Sequence, residues 1–261
     1  MSRIWDLLRK SDWPEGGGDP ELDSITADPV QIERSSRIVV HDDPRSPCAD
    51  RFRLLRLRLN ERWNAETMKT LLITSPLPHD GKSTVALNLA TALAERGKRR
   101  VLLIGADLHH ATLSERLGLA ERSGLAQCLE NGLKPLSAIR RIEPLGWYLL
   151  PAGKARGNPT ELLQGGGLAE IKEQLSQHFE WILIDSPPVI PLADVLALRQ
   201  RTDASLLVVR AGQTPTESVE RSLTLLGRKH VIGIVLNGIK NFDRAYSKYY
   251  PFSGVDTPSI E

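Results

Sequence analysis

The chain has 261 residues, 41% of them hydrophobic, enough to bury one substantial core and suggesting one domain with tails. A formal net charge of +2 and a pI near 8.6 exclude a nucleic-acid wrapper or an acidic solvating protein as the global character of the molecule. Cys48 and Cys128 are far apart without metal-ligand spacing, which fits structural thiols in a reducing compartment. Met1 to Lys10 lacks an apolar core and a cleavage site, and no run of about 18 apolar residues occurs, so the expectation is a soluble cytoplasmic chain that reaches a membrane only through a partner.

Residues 1–47 mix Gly16-Gly17-Gly18 with scattered Pro, Asp and Ser and show no sustained period, which predicts a flexible N-terminal arm. Within it Ile4, Leu7 and Leu8 have helical spacing beside Arg3, Arg9 and Lys10: either a short amphipathic helix that touches a membrane or partner, or a frayed terminus. Asp50 to Trp63 reads as a firmer helix, with Phe52, Leu55 and Leu59 on one side and Arg51, Arg53, Arg56 and Arg58 over much of the rest. From Thr70 onward, apolar runs of strand length alternate with helical stretches. Strands are predicted at 71–74, 101–104, 147–150, 181–184, 205–209 and 232–236, and helices at about 82–96, 113–117, 124–131, 159–177, 194–201 and 216–229. This is the pattern of an α/β fold, a doubly wound and mostly parallel sheet with helices on both faces, here spanning residues 48–240. Residues 241–261 form a polar tail with Tyr246, Tyr249 and Tyr250, which cannot build a core alone.

The first core strand runs into Ser75-Pro76-Leu77-Pro78-His79-Asp80-Gly81-Lys82-Ser83-Thr84 and then a helix. A loop that wraps phosphate points its backbone N–H groups inward, and the following helix adds the positive end of its dipole. Gly81 permits close backbone approach, Lys82 reaches the outer phosphates and Ser83 ligates Mg²⁺; Asp80, Thr84 and the distant Asn237 complete the expected ATP-binding set. Pro76 stands where the strict phosphate-loop pattern has its first glycine.

Two predicted strands end in carboxylates at the edge where ligands bind in open α/β folds. Asp185, in Ile184-Asp185-Ser186-Pro187-Pro188, suits the Mg²⁺ shell or a helix cap. Asp107, after Val101 to Gly105, suits the orientation of a water or the acceptance of a proton, or else a turn. His109 and His110 face different ways and have no third ligand at metal spacing.

These motifs, with Pro151-Ala152-Gly153, the stretch Asn158 to Leu163 and the run Asp203 to Thr214, make the chain resemble the bacterial tyrosine kinases of capsule and exopolysaccharide systems, within the MinD/ParA-like P-loop class. The resemblance spans about Asp50 to Tyr250 and implies an ATP- and Mg²⁺-dependent autokinase with Lys82, Asp107 and Asp185 as its catalytic set. It implies ring-like self-association through an acid-x-x-Arg-x-x-Arg helix, here Asp50, Arg53 and Arg56. It also implies phosphorylation of a tail tyrosine cluster, here Tyr246, Tyr249 and Tyr250, and a membrane co-polymerase partner at the inner face of the cell membrane, with no nucleic acid. The chain departs from the family where Asp-x-Asp-x-Arg becomes Gly105-Ala106-Asp107-Leu108-His109, losing one carboxylate and the arginine. A catalytically weak ATP-binding adaptor is therefore the alternative. A MinD/ParA-like ATPase is a third reading, disfavoured because Leu77 replaces that class's extra lysine.

Overall fold

The computed structural model describes residues 19–30, 36–64, 66–119, 122–190 and 193–239; the tail tyrosines and the Met1–Lys10 segment lie outside this set. Eight strands form one sheet: β1 (Ala27–Pro29), β2 (Thr70–Thr74), β3 (Val101–Gly105), β4 (Arg140–Glu143), β5 (Trp147–Leu150), β6 (Trp181–Asp185), β7 (Ala204–Arg210) and β8 (Val231–Asn237). Their spatial order is β1-β4-β5-β3-β6-β2-β7-β8. Neighbours run parallel except β4 and β5, which pair antiparallel. The mostly parallel, doubly wound sheet expected from the sequence is the architecture observed.

Helices cover both faces, and alternation along the strands divides the core accordingly. Leu72, Leu102, Ile104, Ile182, Ile184 and Leu207 pack toward one layer, Leu71, Ile73, Leu103, Leu183 and Leu206 toward the other, all nearly inaccessible to solvent. Helix α1 is Pro20–Asp23, α2 Val39–Asp42, α3 Pro47–Arg62, α4 Lys82–Ala94, α5 Thr112–Arg116, α6 Leu125–Asn131 and α7 Pro135–Ala138. Helix α8 is Pro159–Gln164, α9 Gly167–Ser176, α10 Asp194–Gln200 and α11 Thr216–Leu226. Where periodicity predicts a single helix over 159–177, Gly165 and Gly166 separate α8 from α9, because consecutive glycines supply no side-chain packing and cost backbone entropy. Helix α3 starts as its sequence suggests: the Ser46 hydroxyl accepts from the Ala49 N–H and Pro47 occupies the first turn. Among the described residues, no helix is long and apolar enough to cross a membrane.

Within residues 1–47, the described residues 19–30 and 36–47 are tied to the core. Residues 27–29 add a parallel edge strand to β4, and Leu22, Val30 and Ile38 are buried. Asp19 caps α1 and holds Arg100 and His178. Fully buried Asn88 of α4 ties this segment down: its carbonyl accepts from the Val40 N–H (3.2 Å), and its amide donates to the Arg37 carbonyl (2.8 Å) and to Thr84 in its own helix (2.9 Å). Three widely spaced apolar anchors make no period, so the pattern that finds helices and strands passes over them.

The strand that feeds the phosphate loop is fixed at its start by Asp203. One carboxylate oxygen accepts from the Lys69 N–H, the Thr70 N–H and the Thr70 hydroxyl, each at 2.8 Å, and the other meets the Lys172 ammonium at 2.6 Å. Burial alone would raise this carboxyl's proton affinity; the Lys172 ammonium and the three donors outweigh it and hold the group below its ordinary value. A depressed folded-state value means that the stabilisation is present above the unfolded carboxylate range, near pH 4, and is lost as pH falls through the folded value. Asp203→Ala is expected to destabilise the protein by about 2–3 kcal/mol at neutral pH. Chemical denaturation should show this difference shrinking toward about pH 3; an equal deficit at both pH values would contradict the assignment.

Candidate functional site at the carboxyl edge of the sheet

Register brings the chemistry together. Gly105 lies opposite Asp185, and Asp185 opposite Ile73, so the ends of β3, β6 and β2 share one edge. From that edge the chain turns through Ser75 to Gly81 into α4. Gly81 has φ of 99°, and a Cβ there would lie 2.1 Å from the Asn237 amide nitrogen, so two independent constraints demand glycine.

Asp80 and Asn237, expected to meet the nucleotide, are placed as braces of the loop. Asp80 is buried, with one carboxylate oxygen accepting from the Leu77 N–H (3.0 Å) and the other from the Thr214 hydroxyl (2.8 Å). Asn237 donates its amide to the Asp80 carbonyl at 2.9 Å. The loop is thus pinned to the ends of β7 and β8.

Lys82, Ser83, Asp107 and Asp185 do converge. Lys82 Nζ lies 3.4 Å from the Ser83 hydroxyl and 3.4 Å from Asp107 Oδ2, while Asp107 Oδ1 accepts from the His110 N–H at 3.2 Å. Asp185 is 1% exposed, and its Oδ1 has no hydrogen-bond partner. Burial pushes its carboxyl up to about 6; Lys82 and the Ser83 hydroxyl oppose that rise, the Asp107 charge adds to it and Arg116 opposes it. An unsatisfied oxygen in so dry a place fits a hard cation: with the Ser83 hydroxyl it would hold Mg²⁺, which when bound would neutralise charge on phosphate oxygens.

Thr84 accepts from the Arg116 guanidinium at 2.6 Å. Arg116, on the short helix α5, escapes sequence reasoning because no motif marks it, yet it stands beside the loop with its charge acting on Asp185. At Gly105, where the resembling kinases carry an aspartate, an added Cβ would meet the Ala152 N at 3.1 Å, so the backbone around Ala152 closes over the space. Asp50, Arg53 and Arg56 lie remote from this edge on α3. Arg53 bonds Asp50 (2.6 Å) and the Pro44 carbonyl (2.5 Å); Arg56 bonds Glu95 (3.2 Å) and the Ala92 carbonyl (3.1 Å).

The family model described as "Cellulose biosynthesis protein BcsQ" matches residues 68–228, more than half of the chain. YwqD of Bacillus subtilis (strain 168), named a tyrosine-protein kinase, is 29% identical over 215 residues, covering 82% of this chain and 90% of YwqD. The chain belongs to the bacterial tyrosine-protein kinase family. Its members differ in length: the succinoglycan biosynthesis transport protein ExoP of Rhizobium meliloti (strain 1021) is 33% identical over 240 residues, 90% of this chain, but the match spans only 30% of ExoP. Among solved structures, the chimerical protein CapA2B2 superposes with a TM-score of 0.71 at 26% identity, covering 83% of this chain and 95% of that one. The septum site-determining protein MinD of Pyrococcus horikoshii OT3, complexed with Mg-ADP, superposes with a TM-score of 0.55 at 25% identity, over 65% of this chain and 70% of that one. Family and fold together place this chain among nucleotide- and magnesium-binding P-loop proteins.

Asp185 separates nucleotide binding from stability. Its folded-state value lies above the unfolded one, so its contribution is fully present below about pH 4 and is lost as pH rises through about 6. Above that, holding the ionised group in place costs roughly 3 kcal/mol. Asp185→Asn should therefore raise the melting temperature of the nucleotide-free protein by several degrees at about pH 8 and change it little near about pH 4. Calorimetric titration should find its magnesium-dependent ATP binding lost; retention of that binding would remove Asp185 from the cation site.

Proposed function

We propose that this protein is an ATP-dependent tyrosine autokinase that regulates the synthesis and export of an exopolysaccharide or capsule. The observation that carries this reading is the buried, unpartnered Asp185 oxygen beside Ser83 and Lys82 at the mouth of a phosphate loop. In the kinase cycle Gly81, Lys82, Ser83 and Thr84 hold ATP, Asp80 and Asn237 keep the loop in shape, and Ser83 and Asp185 hold Mg²⁺. Asp107 sets the position of Lys82, to which it is already paired.

The domain of residues 48–240 would carry the chemistry, and the tail of 241–261 would present Tyr246, Tyr249 and Tyr250 to a second copy. Asp50, Arg53 and Arg56 would contribute to the contact between copies by exchanging their present bonds for bonds across it. Each phosphotyrosine adds about −1.5 to −2 charge, enough to weaken such a contact and so couple phosphorylation to disassembly. The partner would be a membrane protein of polysaccharide chain-length control, which would recruit the kinase to the inner face of the cell membrane. No role for nucleic acid is proposed. The missing carboxylate at Gly105 favours one second reading, an ATP-binding adaptor with weak transfer activity.

Incubation of purified protein with Mg-ATP, followed by phosphotyrosine detection, separates the two. The expected result is modification of the wild type, no signal from Lys82→Met, and no signal from a variant with Tyr246, Tyr249 and Tyr250 replaced by phenylalanine. Wild type that binds ATP but stays unmodified, even with a fragment of the membrane partner added, would leave the adaptor.

A further inference from the structure

A tyrosine hydroxyl gives up its proton near pH 10 when unperturbed, so transfer to it at neutral pH benefits from a positioned base. The carboxylates at the site are poorly free for that work. Gly105 supplies none, Asp185 is the oxygen donor suited to a cation, and Asp107 has one oxygen toward the Lys82 ammonium and the other on the His110 N–H.

Two residues beyond Asp107, on the loop that leaves β3, His109 Nε2 lies 2.8 Å from Asp194 Oδ2. Asp194 is completely buried at the start of α10, and its other oxygen accepts from the Thr160 hydroxyl at the start of α8. The Asp194 carboxylate can only accept, so Nε2 carries the ring proton. In the neutral imidazole Nδ1 is then the lone-pair nitrogen, and it has no partner among the described residues. The side chain is 34% exposed, so a substrate group can reach it. An imidazole with one nitrogen fixed by a buried carboxylate and the other open is the arrangement of a general base.

We propose that His109, oriented by Asp194, accepts the proton of the substrate tyrosine and so replaces the base that the Gly105 position lacks. The assignment rests on the kinase reading. In the step, the tyrosine O–H proton passes to His109 Nδ1 as the tyrosine oxygen bonds to the γ-phosphorus of ATP. The bond from that phosphorus to the β,γ-bridging oxygen breaks, its electron pair leaves with ADP, and the imidazolium, paired with Asp194, later returns its proton to water. His109 is paired with Asp194 from α10, and on its own loop Asp107 is held by the His110 N–H and by Lys82 of α4.

The test is single-turnover transfer by the full chain, measured as phosphotyrosine formed from Mg-ATP between about pH 5.5 and about pH 9. Wild type should lose rate on the acid side. His109→Gln keeps an N–H for Asp194 but offers no base: the rate should fall by about 10²-fold or more and the acid limb should disappear. ATP affinity and melting temperature should stay at the wild-type values. Asp194→Asn should also lower the rate, because the imidazole loses the carboxylate that orients it. His109→Gln with wild-type rate and acid limb overturns the assignment and leaves the kinase reading intact. Loss of ATP binding or melting temperature in step with the rate also overturns it, in favour of a purely structural clasp. A wild type that binds ATP but transfers nothing at any pH overturns the kinase reading and this assignment together.

Discussion

Everything at this site depends on keeping one carboxylate dry. Asp185 ends a strand buried on both faces between β3 and β2, where water cannot solvate its charge and no protein donor reaches one of its oxygens. A fold selected for stability alone would place asparagine or an apolar residue there. The uncompensated oxygen makes sense as half of an interaction completed from outside by a divalent cation and the phosphates it accompanies. The register of three parallel strands sets where that oxygen sits, and the loop braces Asp80, Thr214 and Asn237 set where the phosphates would sit relative to it.

Six strands, β2, β3, β5, β6, β7 and β8, were legible in the sequence as uninterrupted apolar runs, which burial on both faces demands of all but β8 at the sheet's edge. The phosphate loop was legible despite Pro76, because strand, loop and helix supply its context. The two strands at the β1 end of the sheet were not. β1 reads Ala27-Asp28-Pro29, and β4 carries Ile142 among Arg140, Arg141 and Glu143; neither offers a period. Asp80 and Asn237 were read as members of the ATP-binding set, but their bonds to Thr214 and to each other join residues more than 130 apart in sequence. Arg116 on Thr84 and Asp194 on His109 are likewise pairings that only tertiary structure creates.

The family comparison and the physical reading support each other at different levels. Similarity spread along most of the chain secures the fold and the kinase lineage. Around Gly105, local geometry matters more. Ala152 packs against the position, Asp107 is paired with Lys82, and the loop two residues on carries the His109 imidazole.

The clasp between Asn88 and the Arg37–Val40 segment has a practical consequence for anyone trimming this protein. A shortened version starting at Pro47, where the long basic helix begins, would strip away two of the three hydrogen-bond partners of a fully enclosed amide one turn beyond Thr84. It would also uncover the pocket that Ile38 fills. The damage would fall on the helix that carries Lys82 and Ser83, so a minimal catalytic fragment has to begin well upstream of its apparent domain boundary.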